Sequence, residues 1–305
     1  MAGQTSVKNG KVDCDVRLDG KTVVITGANS GIGFETAKNL AKRGAKIVMA
    51  CRDTKSAQEG KEKILAETPE TIIEIFKLDL GSIASVREFA ESFLQKEDRL
   101  DILINNAGVM YCPQGKTVDG FETHIGINHI GHFLLTNLLL DLLKKSSPSR
   151  IVVVSSVGYK RGEMKWDDMM NDKNYQPFPA YFDSKLANTL FAQELSRKLE
   201  GTGVTCNALH PGMVNTNLGR HMREENTSAI RRFFRNLIWP LLPLFFKTPE
   251  QGSQASIFCA IAPELQDVTG KYFSSNCAEE ELLPKALNRD DAEKLWKMSE
   301  EWCGL

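Results

Sequence analysis

Tyr181 and Lys185 stand four positions apart and could move a proton to or from an oxygen atom. In a helix, side chains at i and i+4 share one face, so the phenol and the ammonium would face the same site. A tyrosine normally titrates near pH ~10, and a neighbouring cation stabilises its phenolate form. We therefore expect Lys185 to lower the pKa of Tyr181, which could then donate a proton to a carbonyl oxygen or take one from an alcohol.

A glycine-rich segment at residues 26–33 (TGANSGIG) follows a short apolar run and precedes a helical pattern. Glycines allow a sharp turn and let the backbone approach a phosphate closely. The helix that follows offers free N–H groups and a partial positive charge at its start. The segment predicts the pyrophosphate-binding turn of a dinucleotide site, formed by Gly27, Asn29, Ser30, Gly31, Ile32 and Gly33.

The next apolar run ends in Cys51 and Arg52, which bear on the choice of dinucleotide. An acidic residue at such a strand end normally binds the adenosine ribose hydroxyls and favours NAD. Cys51 cannot accept those hydrogen bonds as a carboxylate would, whereas the guanidinium of Arg52 suits a 2′-phosphate. We predict NADP(H) as the cofactor. The alternative for Arg52 is a solvated surface charge, and Asp53 could cap a helix that starts near Thr54.

Short β-branched runs alternate with helical patterns along most of the chain, and these elements must position the residues above. The runs are apolar nearly throughout, as expected for strands covered on both faces. Such alternation implies right-handed crossovers and a doubly wound sheet. The fold class is therefore α/β, a Rossmann-type domain with a mostly parallel seven-stranded sheet. We predict strands at 22–26, 46–50, 72–78, 102–105, 150–155, 204–209 and 272–273, and helices at 33–43, 83–96, 129–145 and 180–199.

The pattern predicts one large domain rather than two, because no repeat or low-complexity linker interrupts it. We expect a flexible N-terminal leader at 1–18, a single domain at 19–305 and a substrate-loop insertion at 217–247. The insertion ends in an apolar, aromatic stretch that is too short to span a bilayer and follows several arginines. We predict peripheral membrane contact through 231–246, with cover of an apolar pocket or a dimer contact as alternatives.

The composition is that of a globular protein and argues against several classes of function. The chain has 305 residues, 42% hydrophobic and 25% charged, and its 38 Lys+Arg balance 39 Asp+Glu. That balance does not favour a nucleic-acid partner. Seven widely spaced cysteines without a CxxC motif indicate reduced thiols, and the polar N-terminus lacks the apolar core of a signal peptide. We predict a cytoplasmic protein, either free or peripheral on the cytosolic face of a membrane.

Three motifs in the same order resemble those of the short-chain dehydrogenase/reductase family: TGANSGIG at 26–33, NNAG at 105–108 and YFDSK at 181–185. The resemblance covers about residues 20–275 and implies an oxidoreductase. It implies a catalytic set of Asn128, Ser156, Tyr181 and Lys185, with Ser155 as the alternative serine. It also implies that Tyr181 and Lys185 contact the cofactor together with Asp79, Leu80, Asn106, Ala107, Gly108, Pro211, Gly212, Val214 and Thr216.

Several of these residues carry both a chemical and a structural interpretation. Ser156 would orient the substrate oxygen, and Asn128 would hold a water in a proton relay behind Lys185. Asn128 could instead kink a helix, and Asp79 could cap the helix that begins near Ser82. Three histidines invite a metal interpretation, but they lack a third acidic or cysteine ligand nearby in the sequence, and hydride chemistry needs no metal. We predict no metal site and structural roles for His129, His132 and His210.

Further motifs, including MACRD, NNAGVM, NHIGHF and KTPEQG, are similar to the retinol dehydrogenase branch of the same family. The resemblance implies NADPH-dependent reduction of retinal or another long-chain aldehyde, and the reverse oxidation of a primary alcohol. One alternative is a broad carbonyl reductase for steroids, quinones or xenobiotics. Another is a non-catalytic NADP-binding regulator, against which the complete catalytic set argues. The resemblance also suggests a homodimer through helices near 128–145 and 180–199.

Overall fold

The computed structural model describes residues 5–8, 11–216, 218 and 246–305 of the chain. A parallel β-sheet forms its centre, and a short antiparallel hairpin precedes the sheet. The hairpin is β1 (Ser6–Lys8) and β2 (Lys11–Asp13), and the sheet consists of β3 (Thr22–Thr26), β4 (Lys46–Cys51), β5 (Ile73–Lys77), β6 (Ile102–Asn105), β7 (Ser149–Val154), β8 (Val204–Leu209) and β9 (Tyr272–Phe273).

Within the described residues the sheet has seven strands in the order β5-β4-β3-β6-β7-β8-β9, and every neighbouring pair is parallel. The prediction of a doubly wound α/β domain is confirmed. The chain runs outward from β3 to β5 and then returns to β6 on the other side of β3. The carboxyl ends of β3 and β6 therefore lie side by side, and Ile25 pairs with Ile104 there. In such sheets, ligands bind in the crevice at this switch point.

Helices cover both faces of the sheet and bury its apolar side chains in two cores. Strand residues alternate between the cores, since Val24 belongs to one and Val23 and Ile25 belong to the other. The helices are α1 (Gly31–Lys42), α2 (Thr54–Glu67), α3 (Ile83–Lys96), α4 (Gly131–Lys145), α5 (Pro177–Lys198), α6 (Pro249–Ile261), α7 (Pro284–Leu287) and α8 (Arg289–Cys303), with a π-helix at Ile125–Ile130 and 3₁₀ turns at Val157–Arg161 and Pro263–Leu265.

The C-terminal helix α8 packs against α4 and α5. The ring of Trp296 lies 4.9 Å from that of Phe133 and 5.8 Å from that of Phe191. Residues 183–196 of α5 are all buried within the single chain. A homodimer stays a prediction, and because α5 is already covered, a dimer contact would have to use other surfaces.

Two predicted segments differ from the structure or lie outside it. The predicted flexible leader contains the hairpin, in which the backbone N–H of Val12 donates to Oε1 of Gln254 at 2.8 Å. Val12 and Leu18 are buried, so the described part of the leader is packed against the domain. Most of the predicted insertion, including 231–245 of the predicted membrane-contact stretch, lies outside the described residues. None of the helices in the described ranges has the length and apolar character that a membrane span requires.

Candidate active site

The glycine-rich turn after β3 has the shape that a phosphate-binding loop needs. Gly27 and Gly31 have positive φ angles of 65° and 57°, which side-chain-bearing residues rarely adopt. A Cβ at Gly33 would lie 2.3 Å from the carbonyl oxygen of Gly27, so α1 reaches this close to the turn because residue 33 has no side chain. No side chain caps the first turn of α1, which leaves its N–H groups available. The turn therefore fits a pyrophosphate.

The loop after β6 is joined to this turn by hydrogen bonds. The hydroxyl of Thr26 accepts hydrogen bonds from the backbone N–H groups of Asn106 and Ala107, both at 2.9 Å. The side chain of Asn106 donates to the carbonyl oxygen of Thr26 at 2.8 Å. The amide of Asn106 thus holds the two loops together, and its contribution to a cofactor site is to fix the backbone of the turn.

The end of β4 bears on the choice of nucleotide. Cys51 is buried, and although backbone N–H groups of the glycine-rich turn reach its sulfur, burial raises the pKa of the thiol to about 11. The side chain of Arg52 is exposed at the strand end. The carboxylate of Asp53 accepts a hydrogen bond from the backbone N–H of Ser56 at 3.1 Å, which confirms Asp53 as the N-cap of α2. Arg52 is therefore an exposed positive charge at the end of β4, a sign that suits a phosphate.

The predicted cofactor contacts Asp79 and Leu80 are placed differently from each other. Oδ1 of Asp79 accepts a hydrogen bond from the backbone N–H of Gly81 at 2.9 Å, and Ser82 is the N-cap of α3. The alternative that Asp79 caps this helix is therefore wrong. Leu80 is buried in a hydrophobic core, so its side chain does not face the crevice. Any contact of Leu80 with a nucleotide would involve its backbone.

The segment after β8 approaches the glycine-rich turn, as the predicted cofactor contacts require. A Cβ at Gly31 would meet Cγ2 of Thr216 at 3.2 Å, so Thr216 borders the turn. Val214 packs beside Gly252 of α6, where a Cβ would come within 2.5 Å of it. Gly212 follows Pro211 at the end of β8 and has a φ of 81°. The structure places Thr216 at the crevice and Val214 in the packing beneath it.

Tyr181, Ser156 and Lys185 come together at the carboxyl end of β7. Ser156 follows this strand, and its side chain lies close enough to that of Tyr181 to lower the pKa of the phenol. The hydroxyl of Ser156 also accepts a hydrogen bond from the backbone N–H of Gly158 at 3.0 Å. Nζ of Lys185 donates to the carbonyl oxygen of Val154 at 3.0 Å and lies 5.9 Å from the centre of the Tyr181 ring. A phenol, a hydroxyl and an amine thus converge on one site.

The pKa values of this group differ from the expectation drawn from the sequence. Burial raises the pKa of Tyr181 above its ordinary value, and the hydrogen bond with Ser156 lowers it in part. Burial lowers the pKa of Lys185 to about 8. The expectation that Lys185 depresses the pKa of Tyr181 is therefore wrong for the chain as described. Tyr181 is held in its protonated form, the form that donates a proton to a carbonyl oxygen.

The two candidate serines face opposite directions. Ser155 is buried, donates from its hydroxyl to the carbonyl oxygen of Lys185 at 2.9 Å and lies 3.0 Å from Oγ1 of Thr189. These contacts fasten α5 to the end of β7. Ser156 faces Tyr181, so the structure favours it over Ser155 as the substrate-binding serine.

Asn128 lies in the π-helix and joins three parts of the site. Its Oδ1 accepts the backbone N–H of Val109 at 2.8 Å, and its Nδ2 donates to the carbonyl oxygen of Val109 at 3.0 Å and to Oγ of Ser184 at 2.9 Å. A Cβ at Gly108 would lie 3.1 Å from Oδ1 of Asn128 and 3.7 Å from Nζ of Lys185. The side-chain amide of Asn128 is thus occupied by protein partners, and its main-chain carbonyl lies 3.0 Å from Nδ1 of His132, so a water held at Asn128 would have to share that carbonyl with His132.

An aromatic, apolar rim borders these polar groups, and none of the sequence motifs indicates it. The ring of Tyr111 lies 4.7 Å from that of Phe178, which lies 5.9 Å from that of Phe182. Tyr111 has a positive φ of 56°, which is uncommon for a residue with a side chain. Val157 beside Ser156 and Phe178 one turn before Tyr181 are 46% and 39% exposed. Large apolar residues next to the catalytic motifs were the available signal.

The three histidines considered as metal ligands each have a protein partner. Nε2 of His129 lies 2.9 Å from Oγ of Ser299, and Nε2 of His210 lies 3.3 Å from Oε1 of Glu280. Nδ1 and Nε2 of His132 both contact protein oxygens. No cluster of three or more His, Cys, Asp or Glu side chains suited to a metal occurs in the described part of the chain.

Known proteins match this chain over most of its length. The family model for short chain dehydrogenases matches residues 21–227. Retinol dehydrogenase 14 of Homo sapiens is 50% identical over 301 residues, which is 94% of this chain and 88% of that protein. Retinol dehydrogenase 12 of Homo sapiens is 48% identical over 291 residues, 95% of this chain and 89% of that protein.

Solved structures agree with these matches. The crystal structure of an uncharacterised protein from Mycobacterium Paratuberculosis is 34% identical, with a TM-score of 0.75 and coverage of 95% of both chains. A short chain dehydrogenase from Shigella flexneri, solved in complex with NADP, shares the fold at 23% identity, with a TM-score of 0.66 over 85% of this chain and 98% of that chain.

Proposed function

We propose a specific reaction for this chain, which belongs to the short-chain dehydrogenase family and is an oxidoreductase acting on CH–OH groups with a nicotinamide cofactor. It transfers hydride between NADP(H) and a lipophilic aldehyde or primary alcohol, with retinal and retinol as the lead substrate pair. The observation that carries the proposal is the placement of Tyr181 with its ring centre 5.9 Å from Nζ of Lys185, which is bonded to the end of β7 just before Ser156.

A nicotinamide cofactor held by the glycine-rich turn at residues 26–33 would supply hydride to the carbonyl carbon during reduction. The hydroxyl of Tyr181 donates its proton to the carbonyl oxygen as that oxygen gains negative charge, which converts the aldehyde to a primary alcohol. Ser156 donates a hydrogen bond that orients the same oxygen. In the reverse direction, Tyr181 takes the proton from the alcohol.

Two features of the described residues support NADP(H) over NAD(H). Cys51, the last residue of β4, is a buried neutral thiol rather than a carboxylate, and Asp53, two residues later, uses Oδ1 to cap α2. Arg52 is exposed at the strand end and suits a 2′-phosphate. The names of the retinol dehydrogenase relatives and the apolar rim formed by Tyr111, Phe178 and Val157 support a lipophilic substrate.

The experiment is oxidation of NADPH and NADH against aldehydes of increasing chain length, including retinal, and against steroid and quinone carbonyls. Tyr181→Phe should lower kcat by about 10²- to 10⁴-fold, because the variant cannot donate the proton. Its affinity for NADPH should stay near that of the wild type.

Tyr159→Phe is the matched control, because it removes a buried hydroxyl that accepts a hydrogen bond from the backbone N–H of Leu283. Its kcat should be close to that of the wild type. Normal turnover by Tyr181→Phe would refute the proton-transfer role. A preference for steroids or quinones over retinal would favour the broad carbonyl reductase, and cofactor binding without turnover of any substrate would favour a non-catalytic regulator.

A further inference from the structure

Thr26 at the end of β3 has a buried hydroxyl whose hydrogen bonds can be assigned. Its oxygen accepts the backbone N–H groups of Asn106 and Ala107, which occupy both of its lone pairs. Its hydrogen must therefore go to another acceptor. Nε2 of His132 lies at 2.9 Å, whereas the carbonyl oxygen of Ile104 is at 3.5 Å. The hydroxyl thus donates to Nε2 of His132, and that nitrogen carries no proton.

The other ring nitrogen of His132 leads to the same tautomer. Nδ1 lies 3.0 Å from the carbonyl oxygen of Asn128, which can only accept a hydrogen bond. Nδ1 therefore carries the proton and donates it. Both constraints require the neutral ring, in agreement with burial and the nearby charge of Lys185, which lower the pKa of His132 to about 4.

These hydrogen bonds form one continuous chain from the cofactor-binding loops to the catalytic helix α5. On one side, Thr26 holds the loop after β6 against the end of β3, beside the glycine-rich turn. On the other side, the side chain of Asn128 reaches Ser184, whose hydroxyl donates to the carbonyl oxygen of Tyr181 at 2.7 Å. His132 contacts both sides through opposite nitrogens of one rigid ring.

We propose that His132 is a positioning residue for hydride transfer, which holds the cofactor-binding loops through Thr26 and the proton-relay carbonyl of Asn128 through its other nitrogen. This inference rests on the proposed function and assigns a role beyond the structural one that the sequence suggested for His132. The two contacts have separable consequences. The contact with Thr26 affects the loops that bind the cofactor, and the contact with Asn128 affects the carbonyl that takes part in the proton relay.

Two variants of His132 separate its contacts with Thr26 and Asn128, because their side chains differ in length. The amide of His132→Asn can occupy the place of Nδ1 and keep the donor to Asn128, but it cannot reach Thr26. The amide of His132→Gln can place its oxygen near Nε2 and keep the acceptor for Thr26, but it loses the donor to Asn128. We expect His132→Asn to raise the Kd for NADPH about 10-fold with kcat little changed, because the Thr26 hydroxyl loses its acceptor. We expect His132→Gln to lower kcat about 10-fold with the Kd for NADPH little changed.

Thr26 and His129 provide the supporting variants. Thr26→Val should weaken NADPH binding at least as much as His132→Asn, because it also removes the acceptor for the N–H groups of Asn106 and Ala107, and Thr26→Ser should bind NADPH like the wild type. In the Thr26→Val background, His132→Asn should not raise the Kd further, which tests the cofactor half of the proposal. His129→Asn is the matched control, because His129 is equally buried and bonds Ser299 of α8 outside the chain of contacts. It should lower Tm without changing kcat or the Kd for NADPH.

The measurements are fluorescence titration with NADPH, steady-state kinetics with retinal or the best aldehyde, and Tm. Opposite effects of His132→Asn and His132→Gln on the Kd and kcat support the proposal. Equal effects of the two variants, or a lower Tm with unchanged constants, overturn it. If the wild type reduces no substrate, the proposed function fails, and the NADPH titrations alone then decide the proposal: a Kd raised in His132→Asn but not in His132→Gln supports it, and any other pattern overturns it.

Discussion

Replacing Gly33 by alanine should weaken cofactor binding, although alanine is the better helix former. The new Cβ would lie 2.3 Å from the carbonyl oxygen of Gly27 and 2.5 Å from Nδ2 of Asn106. The Gly27 contact alone requires a movement of at least 0.7 Å to reach 3.0 Å, and both neighbours are held by hydrogen bonds. The displaced part is the turn that fits the pyrophosphate, so stability and binding should fall together.

The magnitude follows from the strain and the size of the domain. Overpacking of this kind costs about 1–3 kcal/mol. For 305 residues, an unfolding entropy of about 2.1 cal/mol/K per residue converts this into a fall in Tm of roughly 2–5 °C. If about 1.4 kcal/mol of the strain is located in the cofactor-bound turn, the Kd for NADPH rises about tenfold.

Thermal melts and fluorescence titrations with NADPH measure the two effects. Gly115→Ala is the control, because Gly115 lies in the loop after β6, its φ is outside the left-handed region and its Cβ would meet Oγ1 of Thr123 at an ordinary 3.4 Å. Alanine there restricts the unfolded chain and stabilises the fold by about 0.4–1 kcal/mol, so Tm should hold or rise, with the Kd for NADPH unchanged. Normal NADPH binding by Gly33→Ala, or an equal loss in Gly115→Ala, would refute the reasoning.

Three further substitutions test the site. Lys185→Met should abolish turnover yet raise Tm at pH 7, because the folded chain binds the lysine proton only up to about pH 8 and the unfolded chain up to about 10.5. Below pH 8 the charged amine of Lys185 therefore destabilises the folded state by about 3 kcal/mol, and this penalty disappears as the pH rises toward 10.5. The increase in Tm of Lys185→Met over the wild type should disappear with it. An increase that persists at pH 10.5 would contradict the lowered pKa of Lys185. Arg52→Ala should raise the KM for NADPH by about 10- to 100-fold and leave that for NADH nearly unchanged, and equal changes in steady-state assays would refute the NADP(H) preference. Phe178→Ala should raise the KM for long-chain aldehydes by about 5- to 30-fold but leave the KM for acetaldehyde unchanged. Leu94→Ala, at a similarly exposed apolar position on α3, should change neither KM. Equal KM values for Phe178→Ala and the wild type would exclude Phe178 from the substrate rim.

Much of the fold was predictable because its signals are local. The strand at 22–26 and the helix at 83–96 agree with β3 and α3 at both ends. Apolar runs covered on both faces and helical periodicity depend on neighbouring residues, so they can be recognised without knowing the tertiary contacts. The helix predicted at 129–145 is different, since a π-helix at Ile125–Ile130 precedes α4. Hydrophobic spacing does not reveal that change of hydrogen-bonding pattern.

The catalytic motifs were also recognisable, but the contacts of their side chains were not. The spacing of Tyr181 and Lys185 placed them on one helix face, yet the expected effect of Lys185 on the pKa of Tyr181 was wrong. That pKa depends on burial by many residues distant in sequence and on the hydrogen bond with Ser156. The choice between Ser155 and Ser156 likewise depended on which hydroxyl faces α5 and which faces Tyr181.

The sequence by itself determined the order of strands and helices, the glycine-rich turn and the reactive residue types, because each is encoded by residue identity and short spacings. Only the tertiary structure decided that Arg52 is exposed while Asp53 caps α2, and that His132 joins Thr26 to Asn128. These properties arise where separate elements meet, and hydrogen-bond partners, burial and pKa shifts are set by distances that no local pattern contains.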